Sequence, residues 1–487
     1  MHDTMNPLRI FFLFTLCTAS FLSPLARAST LGVIADIEGD WRKIHSFASN
    51  SNILTIKSDD PAHFDAELSG DSKLVFLGDS IDKGPNNLKV LSFLIYLKHK
   101  YPDRVVFIQG NRDANKLRFI WELKPQALAL NDPAEHLSLD RFRLNSWAKA
   151  FSQFISTEAL AQVDSVPTPY THGTDLINDR ILKMKWMLKD TMGCPTTFQD
   201  LKGEMDHAPD TAVAEQLLSW VSQEGLLAEY LRLSDLAYLD EPTGSLFVHG
   251  GISVENFGVI PESRLGRSDS SKITDVRAWI ATLNAWSQAR IQQGLAGDIE
   301  GALPLIQYQE PQVVLNAVGA QTWGLPNGIS IAQGRPWSET FNLDPYHSAG
   351  LSPELIAHLQ ASGISKILFG HSPVGQVPVI MKSGDFLVVA CDTSVTTPPR
   401  VATIEVSDSG VQITATYMKG ATPVKFTANS ADATTGTQRS LTMEDGTEMP
   451  LWNLGSITSE VDPLHQFILE VFYKKAPFGP FGLPTYR

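Results

Sequence analysis

The chain has 487 residues, of which 43% are hydrophobic and 19% charged, and its formal net charge is −14. This is the composition of an ordinary globular protein, long enough for one large domain with insertions or for two to three domains. A surface with this acidic excess repels phosphate backbones, so nucleic acid is disfavoured as a partner.

The first 28 residues resemble an export signal. Arg9 precedes an apolar stretch from Ile10 to about Leu22, and Ala26-Arg27-Ala28 fits a small-x-small cleavage site. We expect a secretory signal peptide cleaved after Ala28, and a secreted or periplasmic mature protein without stable membrane insertion. A membrane anchor is the alternative, but the stretch is shorter than the ~20 residues that span a bilayer. Cleavage leaves 37 basic and 52 acidic residues, a net charge of −15.

Two cysteines, Cys194 and Cys391, remain after the predicted cleavage. One disulfide between them stays open as an interpretation. Cys391 ends the apolar run Phe386–Cys391, however, and this position favours a buried thiol. In either case the fold does not depend on disulfides.

Apolar runs at 31–35, 73–77 and 105–109 predict strands, and helical stretches lie between them near 41–49 and 86–99. Alternation of strands and helices predicts an α/β fold whose sheet contains parallel strands. The strand pattern returns at Ser245–Ile252.

Residues 115–240 break this alternation and predict a large helical insertion. Its four helical stretches are Leu117–Leu128, Leu139–Ile155, Thr174–Leu188 and Ala212–Tyr238. Its tryptophans could shape substrate access, but packing of the insertion's own core is the favoured interpretation; these residues are Trp121, Trp147, Trp186 and Trp220.

A second insertion is predicted at about 254–361, with a helix around Ser271–Gln293. Beyond the strand at Lys366–Phe369, four runs predict the strands and hairpins of a second sheet: Val377–Met381, Phe386–Ala390, Val401–Val406 and Val411–Tyr417. Residues 420–450 are polar and rich in threonine, and predict a loop. We therefore expect a catalytic domain at 29–420 and a C-terminal extension at 421–487.

Five apolar runs end in residues that can bind metals, each beside glycine. These residues are Asp36 and Glu38, Asp79, Asn111, His249 and His371. Alone, an Asp before Gly is usually a turn residue, and a His after an apolar run is usually structural. Together they bring oxygen and imidazole ligands to strand ends, a mixture that suits Mn²⁺, Fe or Zn²⁺ in a two-metal site. Glycine lets the backbone turn sharply there.

In order, the motifs read D-x-E-G, G-D-x-x-D-x-G, G-N-R-D, V-H-G-G and G-H-x-P. This series resembles the calcineurin-like metallophosphoesterases, most closely their phosphoprotein phosphatase branch. The resemblance covers residues 31–113, 245–252 and 366–394. It implies a four-layer α/β/β/α sandwich of two mixed sheets, here with a large helical insertion.

The resemblance also implies a mechanism and its cofactors. Two divalent ions are expected, Mn²⁺ first, with Fe, Zn²⁺ or Mg²⁺ as alternatives. The first would be held by Asp36, Glu38 and Asp79, and the second by Asp79, Asn111, His249 and His371, with Asp79 bridging. A metal-bridging hydroxide would attack phosphorus in line, without a phosphoenzyme intermediate. Lys83 stands where the family has an arginine beside the substrate phosphate, and Asn111 would also contact substrate.

Two departures from the family pattern affect the expected chemistry. Glu38 replaces a histidine ligand, and Arg112 replaces the histidine that donates a proton to the leaving group. Arginine cannot donate a proton at ordinary pH. The residue matching Asp82 orients that histidine in the family. We therefore expect Arg112 to pair with Asp82 and to bind the substrate phosphate.

The resulting prediction is a metal-dependent phosphatase that hydrolyses phosphomonoesters, with a phosphorylated protein or small molecule as its partner. A missing proton donor favours phosphotyrosine and other good leaving groups, because a phenolate of pKa ~10 needs protonation less than an alkoxide does. Gly110-Asn-Arg-Asp113 also resembles the motif of UDP-diacylglucosamine pyrophosphatases. The alternatives are a nucleotide or dinucleoside polyphosphate hydrolase and a non-catalytic binding protein. The sequence does not indicate the oligomeric state.

Overall fold

The computed structural model describes residues 30–128, 154, 175–261, 272–309, 316–317, 320–321, 330–332, 351–371, 378–393, 401–419, 422–432, 439–442 and 448–453. The predicted signal peptide, Trp147 and nearly all of the predicted helix Leu139–Ile155 lie outside these ranges.

The strands are β1 Leu31–Ile34, β2 Leu54–Ser58, β3 Asp65–Leu68, β4 Lys73–Phe76, β5 Val105–Ile108, β6 Ser234–Asp235, β7 Ala237–Asp240, β8 Ser245–Val248, β9 Asn316–Ala317, β10 Ala320–Gln321, β11 Lys366–Phe369, β12 Val379–Ser383, β13 Phe386–Ala390, β14 Val401–Ser407, β15 Gly410–Lys419, β16 Thr422–Asn429, β17 Arg439–Thr442 and β18 Glu448–Asn453. The α-helices are α1 Trp41–Asn50, α2 Asn87–Lys100, α3 Asn111–Asn115, α4 Phe119–Glu122, α5 Pro125–Leu128, α6 Leu176–Trp186, α7 Thr197–Glu204, α8 Asp210–Trp220, α9 Leu226–Arg232, α10 Val276–Leu295, α11 Ile299–Gln309 and α12 Pro353–Ala361. A π-helical turn, Met187–Thr191, extends α6, and short 3₁₀ turns cover Lys116–Arg118, Glu241–Thr243 and Ser430–Asp432.

Two seven-stranded mixed sheets form the centre of the molecule. Their strand orders are β16-β15-β14-β1-β4-β5-β6 and β17-β18-β12-β13-β11-β8-β7. In the first sheet β1, β4 and β5 run parallel, and in the second β8, β11 and β13 do. These six strands are short apolar runs whose residues are almost all buried, as expected for strands covered on both faces.

The two sheets pack against each other and carry helices on their outer faces. Val33 and Val75 of the first sheet share a core with Leu368 and Val389 of the second. Alternate residues face outward, where one helical layer packs on the first sheet and α10 and α12 pack on the second. The predicted four-layer α/β/β/α sandwich is therefore confirmed.

Two predictions about the later strands are wrong. Strands β14 and β15 join the first sheet rather than the second, because β14 pairs antiparallel with β1, with Val33 opposite Ile404. The segment 420–450, expected as a loop, contains β16, β17 and part of β18. Residues 424–428 alternate apolar and polar side chains, which is the pattern of a half-buried strand, and Ala428 is buried whereas Thr427 is exposed.

The helical insertion also differs in detail from its prediction. The stretch Ala212–Tyr238 forms α8, α9 and then strands β6 and β7, because pairing with β5 and β8 overrides local helical preference. Tryptophans at 121, 186 and 220 are buried in the core beneath the first sheet, as their favoured interpretation predicts. Cys194 and Cys391 are buried free thiols. None of the described helices is long and apolar enough to cross a bilayer.

Candidate active site

The carboxyl ends of the six parallel strands meet at one pocket. Strands β1, β4 and β5 lead into Asp36 and Glu38, Asp79, and Asn111, whereas β8, β11 and β13 lead into His249, His371 and Asp392. A pocket of about 290 Å³ opens there, lined by Glu38, Asp79, Lys83, Asn111, Arg112, His371 and Asp392. The carboxyl edge of parallel strands is where α/β folds usually place ligands.

Main-chain hydrogen bonds lock the ends of β1 and β4 together. The Glu38 amide donates to the Asp79 carbonyl at 2.7 Å, and the Gly84 amide donates to the Glu38 carbonyl at 2.7 Å. Eight described non-glycine residues have positive φ, and six of them lie at this site: Asp36, Glu38, Asp79, Asp82, Lys83 and His371. Such strain costs on the order of 1–3 kcal/mol per residue and is concentrated at functional sites in proteins.

Glycines at 78 and 110 allow three strand ends to approach closely. Gly78 has φ +88°, and a Cβ there would lie 2.6 Å from the Gly110 nitrogen and 2.8 Å from His249 Nδ1. A Cβ on Gly110 would collide with the main-chain nitrogen and carboxylate of Asp79. At both positions, where the ends of β4, β5 and β8 meet, there is room for the hydrogen atom of glycine but not for a Cβ.

Four of the predicted ligands form a compact cluster. Asn111 Oδ1 lies 3.1 Å from both His249 Nε2 and His371 Nδ1, and His249 Nε2 lies 3.3 Å from Asp79 Oδ1. Within the described ranges, Asp79, His249 and His371 are the one group of acidic, histidine or cysteine side chains close enough to hold a metal ion together.

The tautomer of His249 is set by a main-chain carbonyl directly after β4. Its Nδ1 lies 2.5 Å from the Leu77 carbonyl, so Nδ1–H donates there and Nε2 faces Asn111 and Asp79. Metal-binding histidines usually have one ring nitrogen fixed by a carbonyl or carboxylate in this way. The ring is fully buried.

Asp36 and Glu38 lie beside this cluster rather than in it. Both carboxylate oxygens of Asp36 accept from the His371 amide, at 2.9 and 3.0 Å. Glu38 Oε1 pairs with Lys83 Nζ at 2.6 Å and lies 3.6 Å from Arg112 Nε. Glu38 Oε2 is buried and accepts no hydrogen bond from the part of the chain that the structure describes. A buried carboxylate oxygen without a donor is a suitable cation ligand.

Arg112 points into the pocket but does not pair with Asp82. Its Nε lies 3.2 Å from Asp79 Oδ2, and its Nη1 donates to the Gly193 carbonyl at 3.1 Å. Asp82 instead pairs with Lys116 at 2.6 Å. The expected Arg112–Asp82 pair is therefore not found between these two described residues. Lys116, one helical turn after Arg112, reaches the fully buried Asp82, while Arg112 turns toward the carboxylates at the pocket.

The charges of the pocket shift the pKa values of its groups strongly. Burial, then Asp392, raises the pKa of Asp36 well above its usual value. Burial alone would raise the pKa of Asp79, but His249 and Arg112 lower it far below the usual range. Burial alone would lower the pKa of His249, but Asp79 raises it to about 10. Carboxylates crowded out of water need cations to balance them.

Asp113 stabilises the segment that follows β4 through hydrogen bonds to its backbone and to Ser80. Its Oδ1 accepts from the amide and hydroxyl of Ser80, at 2.9 and 2.6 Å, and its Oδ2 accepts from the Gly110 amide at 3.0 Å. Burial, with Asp79 nearby, raises its pKa to about 7. The residue thus ties the end of β4 to the start of α3.

Sequence reasoning missed Asp392 as a site residue. It follows the apolar strand β13, which is the same pattern that identified the other strand ends, but no glycine stands beside it. It also missed Gly193, whose carbonyl accepts from Arg112 across 81 residues of chain. No local sequence signal marks that contact.

Comparisons with known proteins find short sequence similarities to phosphatases. No family model matches the chain. Over 57 residues, 12% of this chain, it is 40% identical to the serine/threonine-protein phosphatase sitA of Aspergillus fumigatus. Over 51 residues, 10% of this chain, it is 39% identical to a Caenorhabditis elegans protein described as a serine/threonine-protein phosphatase. Each match spans 14% of the relative's length.

Two solved structures are similar to this chain at low sequence identity. A cold-active protein-tyrosine phosphatase from a psychrophilic Shewanella species is 13% identical, with a TM-score of 0.41 over 87% of this chain and 81% of that one. A Saccharomyces cerevisiae protein serine/threonine phosphatase is 9% identical, with a TM-score of 0.31 over 78% of this chain and 74% of that one.

Proposed function

We propose that the protein is a metal-dependent phosphatase that hydrolyses phosphomonoesters. The observation that carries this proposal is the convergence of ligand atoms from Asp79, Asn111, His249 and His371 at one small pocket, beside the partly buried Arg112. Sequence similarity to serine/threonine phosphatases over about fifty residues supports the same reaction class.

The donor set fits two divalent ions. Asp36, Glu38 and Asp79 would hold the first, and Asp79, Asn111, His249 and His371 the second, with Asp79 shared. The unpartnered oxygen Glu38 Oε2 supports this assignment. Carboxylate, amide and imidazole donors suit Mn²⁺, with Fe, Zn²⁺ or Mg²⁺ as alternatives. Bound there, the ions would supply positive charge for the phosphoryl oxygens and a water of lowered pKa.

Arg112 and Lys83 supply the protein's own positive charge. The Arg112 side chain is 16% exposed and that of Lys83 33% exposed, and both line the pocket. A guanidinium can bind two phosphate oxygens at once, whereas an ammonium acts as a point charge. We assign Arg112 as the principal phosphate ligand from the protein and Lys83 as a second one.

The proposed substrate class follows from the inability of Arg112 to donate a proton to the leaving group. Because it keeps its proton at ordinary pH, the leaving group must depart without protonation from this position. Aryl phosphates and phosphotyrosine are therefore the favoured substrates. Nucleotide-type anhydrides are the second candidate, since a phosphate is also a good leaving group.

The first test is hydrolysis of p-nitrophenyl phosphate by metal-stripped protein, with Mn²⁺, Mg²⁺ or Zn²⁺ added back. We expect Mn²⁺ to restore activity, and Asp79→Asn to reduce it by about 10³-fold, since charge stabilisation by metal is worth several kcal/mol. Asp408→Asn, the same change at an exposed turn, is the matched control. Inactivity with every metal would support a binding protein, and an active Asp79→Asn variant would remove the site assignment.

The second test compares one peptide in its phosphotyrosine and phosphoserine forms. We expect kcat/KM to favour phosphotyrosine by about 10²-fold, the lower end of what a missing general acid costs an alkoxide leaving group. A preference for phosphoserine would contradict the leaving-group argument. A dinucleoside polyphosphate hydrolysed faster than either peptide would favour the anhydride candidate.

A further inference from the structure

Asp82 and Lys116 form a fully buried ion pair beneath the pocket. Lys116 Nζ donates to Asp82 Oδ2 at 2.6 Å, to the Arg112 carbonyl at 3.2 Å and to Asn115 Oδ1 at 3.1 Å. Each of the three ammonium protons therefore has an acceptor. Neither Asp82 nor Lys116 lines the pocket, and both side chains are 0% exposed. The hydrogen bond from Lys116 to the Arg112 carbonyl connects the pair to a residue that does line the pocket.

The helical insertion contacts the same group of residues. Thr197 Oγ1 donates to the second oxygen of Asp82 at 3.0 Å. Four residues earlier, the Gly193 carbonyl accepts from Arg112 Nη1 at 3.1 Å. The π-helical turn Met187–Thr191 precedes this segment, and such turns often occur at functional sites. Arg112 is thus held at its backbone by Lys116 and at its guanidinium by Gly193.

We propose that Lys116, Asp82 and Thr197 are positioning residues that hold Arg112 ready to bind a phosphate, so that the segment Gly193–Thr197 is part of the phosphate site. The inference rests on the proposed function, because Arg112 is a phosphate ligand only there. A free arginine side chain samples many rotamers, and fixing it before binding removes that entropic cost from the binding step. Asp82 here positions a phosphate ligand rather than a proton donor.

The test is a double-mutant cycle read by phosphate binding rather than by turnover. Calorimetry measures the affinity of the Mn²⁺-loaded, full-length protein for inorganic phosphate in wild type, Lys116→Met, Arg112→Met and the double variant. We expect Lys116→Met to weaken phosphate binding by about tenfold in wild type and by less than about twofold in the Arg112→Met background, as coupled residues do. Equal losses in both backgrounds would overturn the proposal.

Because Lys116→Met could impair folding, a milder variant tests the same inference. Thr197→Val removes only the hydroxyl that donates to Asp82, and we expect about a threefold loss of phosphate affinity that disappears in Arg112→Met. Thr197→Val binding phosphate as wild type does would count against the inference. The matched control is Lys73→Met, which breaks a partly buried ion pair at the opposite end of β4 from the pocket, Lys73–Asp240 at 2.6 Å. Its phosphate affinity should be unchanged.

The outcomes also separate this inference from the proposed function. Hydrolysis by wild type together with additive losses overturns only the positioning role. Non-additive phosphate binding by a protein that hydrolyses no phosphoester overturns only the proposed function.

Discussion

At the scale of single residues, the pocket holds more negative than positive charge. Its lining includes the three carboxylates of Glu38, Asp79 and Asp392 and the basic side chains of Lys83 and Arg112, with His371 beside them. Burial raises the pKa of nearby Asp36, and the negative charge of Asp392 raises this pKa further. Carboxylates this close repel one another unless protons or cations lie between them. A divalent cation would balance this excess of negative charge. Because Asp392 contributes to the excess, it should strengthen cation binding.

We therefore predict that Asp392→Asn weakens Mn²⁺ binding by about tenfold, the lower end of the effect of losing a group that supports metal ligands. Titration calorimetry on the metal-stripped protein measures this affinity. Asp385→Asn is the control, because Asp385 is exposed just before β13, the strand that Asp392 follows. Equal Mn²⁺ affinities in Asp392→Asn and wild type would show that Asp392 does not contribute.

At the scale of elements, tight turns at glycines position the proposed metal ligands. The contribution of these turns can be tested without changing a ligand side chain. Gly110→Ala would force a Cβ against Asp79 without changing any of the proposed metal ligands. We predict a loss of unfolding free energy of about 1–3 kcal/mol, as for overpacking, together with weaker Mn²⁺ binding. Thermal unfolding with and without Mn²⁺ measures both.

Gly203→Ala is the matched control for this substitution. Gly203 lies within α7, and a Cβ there meets nothing within 4 Å. The change should stabilise the protein by about 0.4–1 kcal/mol, because it reduces the freedom of the unfolded chain. If both alanine variants behave alike, close approach at Gly110 is not a requirement of the site.

The strand ends were predictable from sequence because a short, continuous apolar run identifies a buried strand, and the next polar residue then marks its end. This logic located Asp36, Asp79, Asn111, His249 and His371. The sheet to which a strand belongs was not predictable, because β14 and β15 have the same alternation whether they pair with β1 or with β12. The partner of Asp82 was equally hidden, since Arg112 and Lys116 lie one helical turn apart and packing alone chooses between them.

At the scale of the whole molecule, the site joins the two sheets. Asp79 and Asn111 follow strands of the first sheet, whereas His249 and His371 follow strands of the second. A metal ion bound by this cluster would link both halves of the sandwich. Because binding to the folded state alone adds to its stability, metal should raise the melting temperature of the entire protein.

The size of this stabilisation should depend on pH, and the sign follows from His249. In the metal-free protein its pKa is raised from 6.5 to about 10. The protonated ring therefore stabilises the folded state fully below pH 6.5, and this contribution is lost as pH rises toward 10. Asp113 acts in the same direction at lower pH, because its pKa is raised to about 7 and its protonated form is favoured on folding. A metal ion bound at His249 would need the neutral ring, so its binding would release that proton.

We predict that the melting-temperature difference between Mn²⁺-loaded and chelator-treated protein increases from pH 6.5 to pH 8.5. Release of one proton corresponds to about 1.4 kcal/mol per pH unit, which is about 1–2 °C per pH unit for a chain of 487 residues that unfolds cooperatively. His249→Gln should remove this slope, since no proton then competes with the metal at that position. His358→Gln, at an exposed histidine whose ring lies 2.7 Å from the Thr274 carbonyl, should keep it. A difference that stays constant or shrinks as pH rises would mean that Mn²⁺ does not displace a proton from His249.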